Sequence, residues 1–319
     1  MPEGIDAARV GPAALAGPAT WEGQAHQNEA KPLSEPVGEA GLSVFSDSHA
    51  HLSLVEARLG REAMETLLAT YSSAWAESSA HIGTAPIMVD VGIHPGDLEA
   101  RVERFGAYPF VRFSAGLWPG RESLERPGEA LERLKNDLES ARCRALGECG
   151  LDYHHMEATR GEQMRLFEAQ VALAVERGLP LIVHSREAFE DTLALVSDAP
   201  SLVPVVIHCF GYGEAEAARF LEKGCALSFA GNITYKKSEG LQNALRATPL
   251  ERLLMETDSP YMNPMPSRGK PGTSLDIART IDQAARLKGL SIEALASAAQ
   301  ANAFRIFSGT RGHTSVEPS

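Results

Sequence analysis

The chain has 319 residues, of which 44% are hydrophobic and 23% charged, and its 42 acidic against 30 basic side chains leave a net charge of -12. This is the make-up of an ordinary globular protein able to bury a sizeable core, in one large α/β domain or two small ones. Such acidity excludes a broad basic surface for duplex nucleic acid, although a bound cation can still present positive charge to an anionic substrate.

Residues 1–41 are rich in Ala, Gly, Pro and Glu without a sustained period and read as a disordered or loosely attached extension, a packed first helix around Ala13 being the alternative. The domain itself is expected over 42–308. Val44-Phe45 leads into Ser46-Asp47-Ser48-His49-Ala50-His51-Leu52, a short buried strand ending in two histidines. Alternation along a strand aims His49 and His51 the same way, about 6–7 Å apart, so that both can hold one metal. The plainer alternative is a pair that only hydrogen-bonds.

A helix follows over 60–79 with Ala63, Leu67, Leu68, Tyr71 and Trp75 on one face, then a second strand over 86–91 and a third over 110–117. A charged helix is expected over 122–141 and a fourth strand over 144–148. An amphipathic helix over 160–177 is stopped by Gly178. The fifth to eighth strands fall at 181–184, 204–208, 225–230 and 253–258, and Ala-rich closing helices at 275–307. Residues 309–319 read as a frayed tail. The four cysteines, Cys143, Cys149, Cys209 and Cys225, form no C-x-x-C pair, and no signal peptide or bilayer-length apolar run is recognisable, so a reduced, cytoplasmic protein is expected.

Eight short apolar strands separated by helical segments suit a parallel sheet covered on both faces, and the count of eight suits a closed (β/α)8 TIM-like barrel. An open doubly wound sheet is the alternative. Polar side chains that can bind metal end strands one, four, five, six and eight: His49 and His51, Glu148, His184, His208 and Asp258. Each histidine alone could be a satisfied core residue, and Glu148 alone a structural hydrogen-bonder. Together they need compensation for buried charge, which a cation supplies.

At these residues the chain resembles the TatD family of metal-dependent hydrolases. The resemblance is carried by Asp47-Ser48-His49-Ala50-His51-Leu52, Leu146-Gly147-Glu148-Cys149-Gly150-Leu151-Asp152, the stretch from Pro180 through His184-Ser185-Arg186 to Ala188, Ile207-His208-Cys209-Phe210-Gly211, Glu256-Thr257-Asp258-Ser259-Pro260-Tyr261 and Asn302-Ala303-Phe304-Arg305-Ile306-Phe307. It spans roughly residues 44–307. It implies a TIM-like barrel, one or two divalent metals and hydrolysis, with DNase activity described for several members. Two departures stand out. Where the family has a Gly-x-His-Pro turn after the third strand, this chain has Gly116-Leu117-Trp118-Pro119. Its own Gly92-Ile93-His94-Pro95 lies one strand early, which makes His94 a surface or supporting residue. After Tyr261 the chain keeps Arg268-Gly269-Lys270 but reads Pro271-Gly272-Thr273-Ser274 where an Asn-Glu-Pro segment is usual.

With that resemblance, the expected mechanism is metal-assisted hydrolysis of a phosphodiester, in nucleic acid or a smaller substrate. His49, His51 and Asp258 hold one divalent ion, His184 and His208 a second, and Glu148 bridges ions about 3.5–4 Å apart. Mg, Mn and Zn all stay open. Asp258 is the expected proton acceptor, and Asp47 and Glu256, sharing strand parity with the ligands beside them, are expected inside the barrel as orienters of the histidines. A buried ion pair is their alternative. Arg186 and Arg268 could grip phosphate and Trp118 could stack on a base, while Lys270 and Lys236-Lys237 are weaker candidates. Ser185 lacks the partners of a serine nucleophile. A metal-dependent amidohydrolase, an aminoacyl-tRNA deacylase and a metal-stabilised binding scaffold remain the competing functions. No strand-end lysine suited to carbamylation is seen, which disfavours that type of amidohydrolase.

Overall fold

The structure is a computed structural model that describes residues 44–78 and 85–308. The expected extension over 1–41 and tail over 309–319 therefore lie outside the described residues. Strands β1 (Asp47–Ala50), β2 (Met88–Asp90), β3 (Val111–Ala115), β4 (Cys143–Asp152), β5 (Leu181–Arg186), β6 (Val205–Ile207), β7 (Ala226–Phe229) and β8 (Leu253–Met255) pair in parallel, each with the next. The ring closes where Asp258 N donates to His49 O at 2.9 Å and His51 N to Ser259 O at 2.8 Å. This is the expected (β/α)8 barrel rather than an open sheet.

Helices α1 (Leu52–Leu59), α2 (Arg61–Ser78), α3 (Leu98–Phe105), α4 (Arg121–Glu125), α5 (Pro127–Glu139), α6 (Arg160–Arg177), α7 (Phe189–Val196), α8 (Glu214–Glu222), α9 (Glu239–Ala247), α10 (Ile277–Lys288) and α11 (Ile292–Phe307) alternate with the strands. α6 matches its expected bounds because both ends are marked in the sequence. Thr159 and Glu162 form a capping box, and Gly178 adopts the left-handed conformation at φ 61°. The helix expected over 122–141 is two, since Pro127 starts a helix of its own at its first turn. α1 begins directly after His51, in the stretch before residue 60, where no element was expected. α3 and α7–α9 are short and were not individually placed.

Strand alternation sorts the core into two layers. Val89, Ile182, Val206 and Leu254 face the barrel interior, where Ala303, Ile306 and Phe307 of α11 join them. Their neighbours Met88, Leu181, Val183, Val205, Ile207, Leu253 and Met255 face the helices. By the same alternation His184, His208 and Glu256, two residues beyond Ile182, Val206 and Leu254, point inward at the C-terminal mouth, where barrels of this kind carry their chemistry.

Candidate metal centre

Two of the strands that carry the cluster are irregular just where the donors sit. Along β4, Leu146 pairs with Leu181 and Cys149 with Val183, three residues against two, so one extra residue is accommodated between them. Ala145 faces inward, and strict alternation would turn Glu148 out toward the helices. The bulge restores it to the interior, with Cys149 and Leu151 outward. Gly150 is required here: at φ 144°, a Cβ on it would lie 1.9 Å from His184 O. β1 has the same three-against-two shift between Asp47 and Ala50.

Six side chains from five strand ends meet in a space a few ångströms across. His49 Nε2 and His51 Nε2 lie 3.3 Å apart and face Glu148 Oε2 at 3.2 and 3.4 Å. Asp258 Oδ1 closes this half at 3.8 Å from His49 Nε2 and 3.5 Å from His51 Nε2. On the other side, His184 Nδ1 and His208 Nε2, 3.3 Å apart, face Glu148 Oε1 at 3.0 and 3.1 Å. Glu148 thus offers one oxygen to each histidine pair. The His49 and His208 rings stack at 3.9 Å. All but the half-buried His184 are buried.

The atoms turned away from the centre fix most of the tautomers. His51 Nδ1 donates to Val91 O at 3.0 Å, His184 Nε2 to Asp152 Oδ2 at 3.0 Å, and His208 Nδ1 to Glu256 Oε1 at 3.4 Å. In the neutral ring the opposite nitrogen then carries a lone pair, so three histidines aim lone pairs at a carboxylate. Acceptors facing acceptors need a cation between them. Donors held at about 2.0–2.2 Å around one ion sit about 3.3 Å apart, which is the spacing found within each histidine pair. The residues present therefore fit a divalent metal of nitrogen and oxygen preference.

Among the protein's own charges alone, protons serve in that place. Burial opposes charging His208, but Glu148 and Glu256 outweigh it and hold its pKa well above the usual range. Burial is likewise outweighed at His51 by Asp258 and Glu148, and at His184 by Asp152 and Glu148, and both are raised. His49 is lowered by burial and by His208 beside it. Glu148 is held well below the carboxylate range, and Asp258 below it, because neighbouring histidines outweigh their burial.

Glu256 lies inside the barrel as expected, accepting from the His208 ring and from Cys209 N at 2.7 Å. Asp47 does not. With Ser48 Oγ turned inward to Ser228 Oγ at 2.9 Å, the β1 bulge sends Asp47 into the layer outside, where it accepts from Thr257 Oγ1 at 2.6 Å and Thr257 N at 3.0 Å. Its contact with His49 is the backbone N–H at 3.2 Å, not the ring, and burial pushes its carboxyl up to about 7. Asp47 departs from strict strand parity because a bulge resets it.

Trp118 reaches the mouth, with its ring edge-on to His184 at 6.0 Å and to His155 at 6.2 Å. Arg186 is half-buried at the end of β5, and Arg268 is exposed, with its guanidinium 4.4 Å above the Tyr235 ring. Lys236, Lys237 and Lys270 are exposed. His94 bonds Glu122 Oε2 at 2.6 Å. One residue went unnoticed: Asp152 binds both His184 and, at 2.9 Å, His155 Nδ1. Its signal was present, four residues beyond Glu148 and on the same side of the strand. Tyr261, edge-on to His51 at 6.3 Å and held by Arg58 at 3.0 Å, was also passed over.

Fold and donor set together define a metal-dependent hydrolase built on a (β/α)8 barrel. The family model described as TatD related DNase matches residues 46–308, and the chain belongs to that family. It is 36% identical over 214 residues to the metal-dependent hydrolase YcfH of Escherichia coli K12, a match covering 67% of this chain and 79% of YcfH. It is 32% identical over 200 residues to the 3′-5′ ssDNA/RNA exonuclease TatD of Erwinia amylovora, covering 61% and 77%. The crystal structure of YjjV, a TatD homologue from Escherichia coli K12, superposes with a TM-score of 0.68 at 25% identity, covering 83% of this chain and 98% of YjjV. No helix of the described residues is long and apolar enough to cross a membrane.

Proposed function

We propose that this chain is a two-metal phosphodiesterase that trims nucleic acid from single-stranded or 3′ ends. The observation that carries the reading is Glu148, with Oε2 on the His49–His51 pair and Oε1 on the His184–His208 pair, the disposition of a bridging carboxylate. In this assignment Asp258 completes the first site. Four imidazoles among six ligands favour a zinc-like ion over magnesium.

Divalent ions in such a site polarise a phosphoryl oxygen and lower the pKa of water. The chain's own residues do the rest. Asp258, whose Oδ1 faces His49 and His51, takes the proton from the attacking water. Val91 O, Asp152 and Glu256 hold three rings in the tautomer that leaves a lone pair inward. Trp118 stacks on a terminal base, and Arg186 and Arg268 grip phosphates. The substrate choice is supported by the exonuclease name of the Erwinia relative and by the net charge of -12, which leaves affinity to a few contacts at the mouth. We further assign catalysis to residues 42–308 alone, and the protein to the cytoplasm on the strength of its four free thiols.

Metal analysis coupled to a substrate panel tests this. The expected result is metal-dependent, stepwise release of nucleotides from single-stranded ends, with closed circular duplex, esters and amides untouched. Efficient cutting of closed duplex, or turnover of amides alone, overturns it.

A further inference from the structure

Behind the His49–His51 half of the centre, between β2 and α3, lies a buried ion cluster that none of the steps above uses. The Arg101 side chain is 6% exposed and the Asp90 side chain fully buried. Arg101 Nε and Nη2 donate to Asp97 Oδ1 at 3.0 and 2.8 Å. Nη1 donates to Asp90 Oδ2 and to the Asp90 carbonyl, both at 3.1 Å, and Nη2 also reaches Ser114 O at 2.6 Å. The remaining carboxylate oxygens take backbone N–H groups. Asp90 Oδ1 accepts from Leu52 at 3.0 Å, and Asp97 Oδ2 from Ile93 and His94 at 3.3 Å each. The segment following β2 is thereby fastened to α3 and to the residue after His51.

That segment carries two carbonyls directed at the metal centre. Val91 O takes the His51 ring N–H at 3.0 Å, and Gly92 O takes the Glu148 backbone N–H at 2.8 Å. A Cβ on Gly92 would lie 2.2 Å from Arg101 Nη2, so the guanidinium packs straight against this backbone. An apolar side chain would stabilise the fold as well as a buried ion cluster does, since desolvation offsets much of the attraction. What the guanidinium adds is a rigid planar fork that fixes acceptors on several elements at once.

We propose that Arg101, with Asp90 and Asp97, is a positioning group for the His49–His51–Asp258 half of the metal centre, acting chiefly through the Val91 carbonyl on the His51 ring. This rests on the ligand assignment made under Proposed function. The other histidine pair is oriented by Asp152 and Glu256, which the cluster does not touch, and Glu148, which faces both pairs, is reached only at its backbone N–H, so the influence falls mainly on the first half.

The test is Co2+ titration of the metal-free full-length protein, followed by visible absorption and paired with thermal unfolding. Variants are Arg101→Met, the double variant Asp90→Asn/Arg101→Met, which removes the buried charges together, and Arg104→Met. Arg104 lies on the same helix and pairs with Glu56 and Glu65 at 2.9 and 2.7 Å, making it a structural control. His51→Ala identifies the ion belonging to the first half. The expected result is that Arg101→Met and the folded double variant bind that ion about 10- to 100-fold more weakly, with an altered spectrum. Any ion that His51→Ala leaves in place weakens less than the first-half ion, and the Co2+ affinity and spectrum of Arg104→Met stay as in wild type. A folded double variant that binds the first-half ion with wild-type affinity and spectrum overturns the proposal, as does equal weakening of every ion. Wild-type protein that takes up no Co2+ overturns the ligand assignment itself, and the proposal with it.

Discussion

The floor and the rim of the barrel mouth are built differently. On the floor, the six candidate ligands face one another, and three imidazoles are oriented from behind by Val91 O, Asp152 and Glu256, while the buried Nδ1 of His49 has no hydrogen-bond partner. Backbone strain is accepted there too: Asp258 and Cys209 sit at φ 54° and 42°, a left-handed conformation costing on the order of 1 kcal/mol for residues other than glycine. On the rim, Arg268 is exposed over one tyrosine ring and Trp118 meets two histidine edges. Three of the four floor rings are thus held in one tautomer, with a lone pair toward the centre. The rim groups face solvent and the mouth rather than a buried network, so their loss should cost less than that of a floor residue.

The sharpest break of that contrast is loss of a floor residue. Glu148→Ala, His208→Ala and Asp258→Asn should each abolish detectable hydrolysis, a fall of at least about 1000-fold in kcat, while circular dichroism and the melting transition stay those of a folded barrel. Near wild-type turnover in any of them, purified with metal supplied, sinks the ligand assignment. One layer further out, Asp152→Asn should weaken metal binding about 10- to 100-fold, because His184 loses the acceptor that fixes its tautomer. An equilibrium metal titration measures this, and unchanged affinity would leave Asp152 a role toward His155 only.

Two groups of the floor respond to pH with opposite signs. In metal-free protein the raised pKa of His208 contributes stability that is fully present below about pH 6.5 and is lost as pH rises through the folded value. Glu148, lowered, contributes above about pH 4.5 and fails as pH falls. A metal needs the imidazoles deprotonated, so its stabilisation grows with pH as that of the protons fades. The gap in melting temperature between metal-loaded and EDTA-treated protein should therefore widen from about pH 6 to about pH 8. A constant or narrowing gap in calorimetry would contradict the four-histidine assignment.

Rim changes should be smaller. Arg268→Ala should raise KM a few-fold for every sequence alike, leave kcat unchanged and flatten the salt dependence by about one phosphate contact. Sequence-dependent losses in a nuclease assay would mean that Arg268 reads bases. Smallest of all, deleting residues 1–39 should leave kcat and KM within about twofold, since that segment supplies no candidate ligand and no periodic apolar face. Loss of both folding and turnover would make it part of the domain.

The sequence by itself determined the count of strands, the barrel they close into and the six candidate donors that meet at its mouth. Short apolar runs ending in His or a carboxylate are local signals, and one cluster of donors at five strand ends needs a closed ring to bring it together. Tertiary structure alone decided which way residues beside a bulge point. Strict alternation from Ala145 would have sent Glu148 outward, and strict alternation from His49 placed Asp47 inward; the extra residue in β4 and in β1 reversed both. A bulge is set by how neighbouring strands register against one another, which no single strand's sequence encodes. The same holds for Asp152 and for the Arg101 cluster. Their partners lie 32 residues away at His184 and 11 away at Asp90, and only the closed barrel and its packed helices make them neighbours.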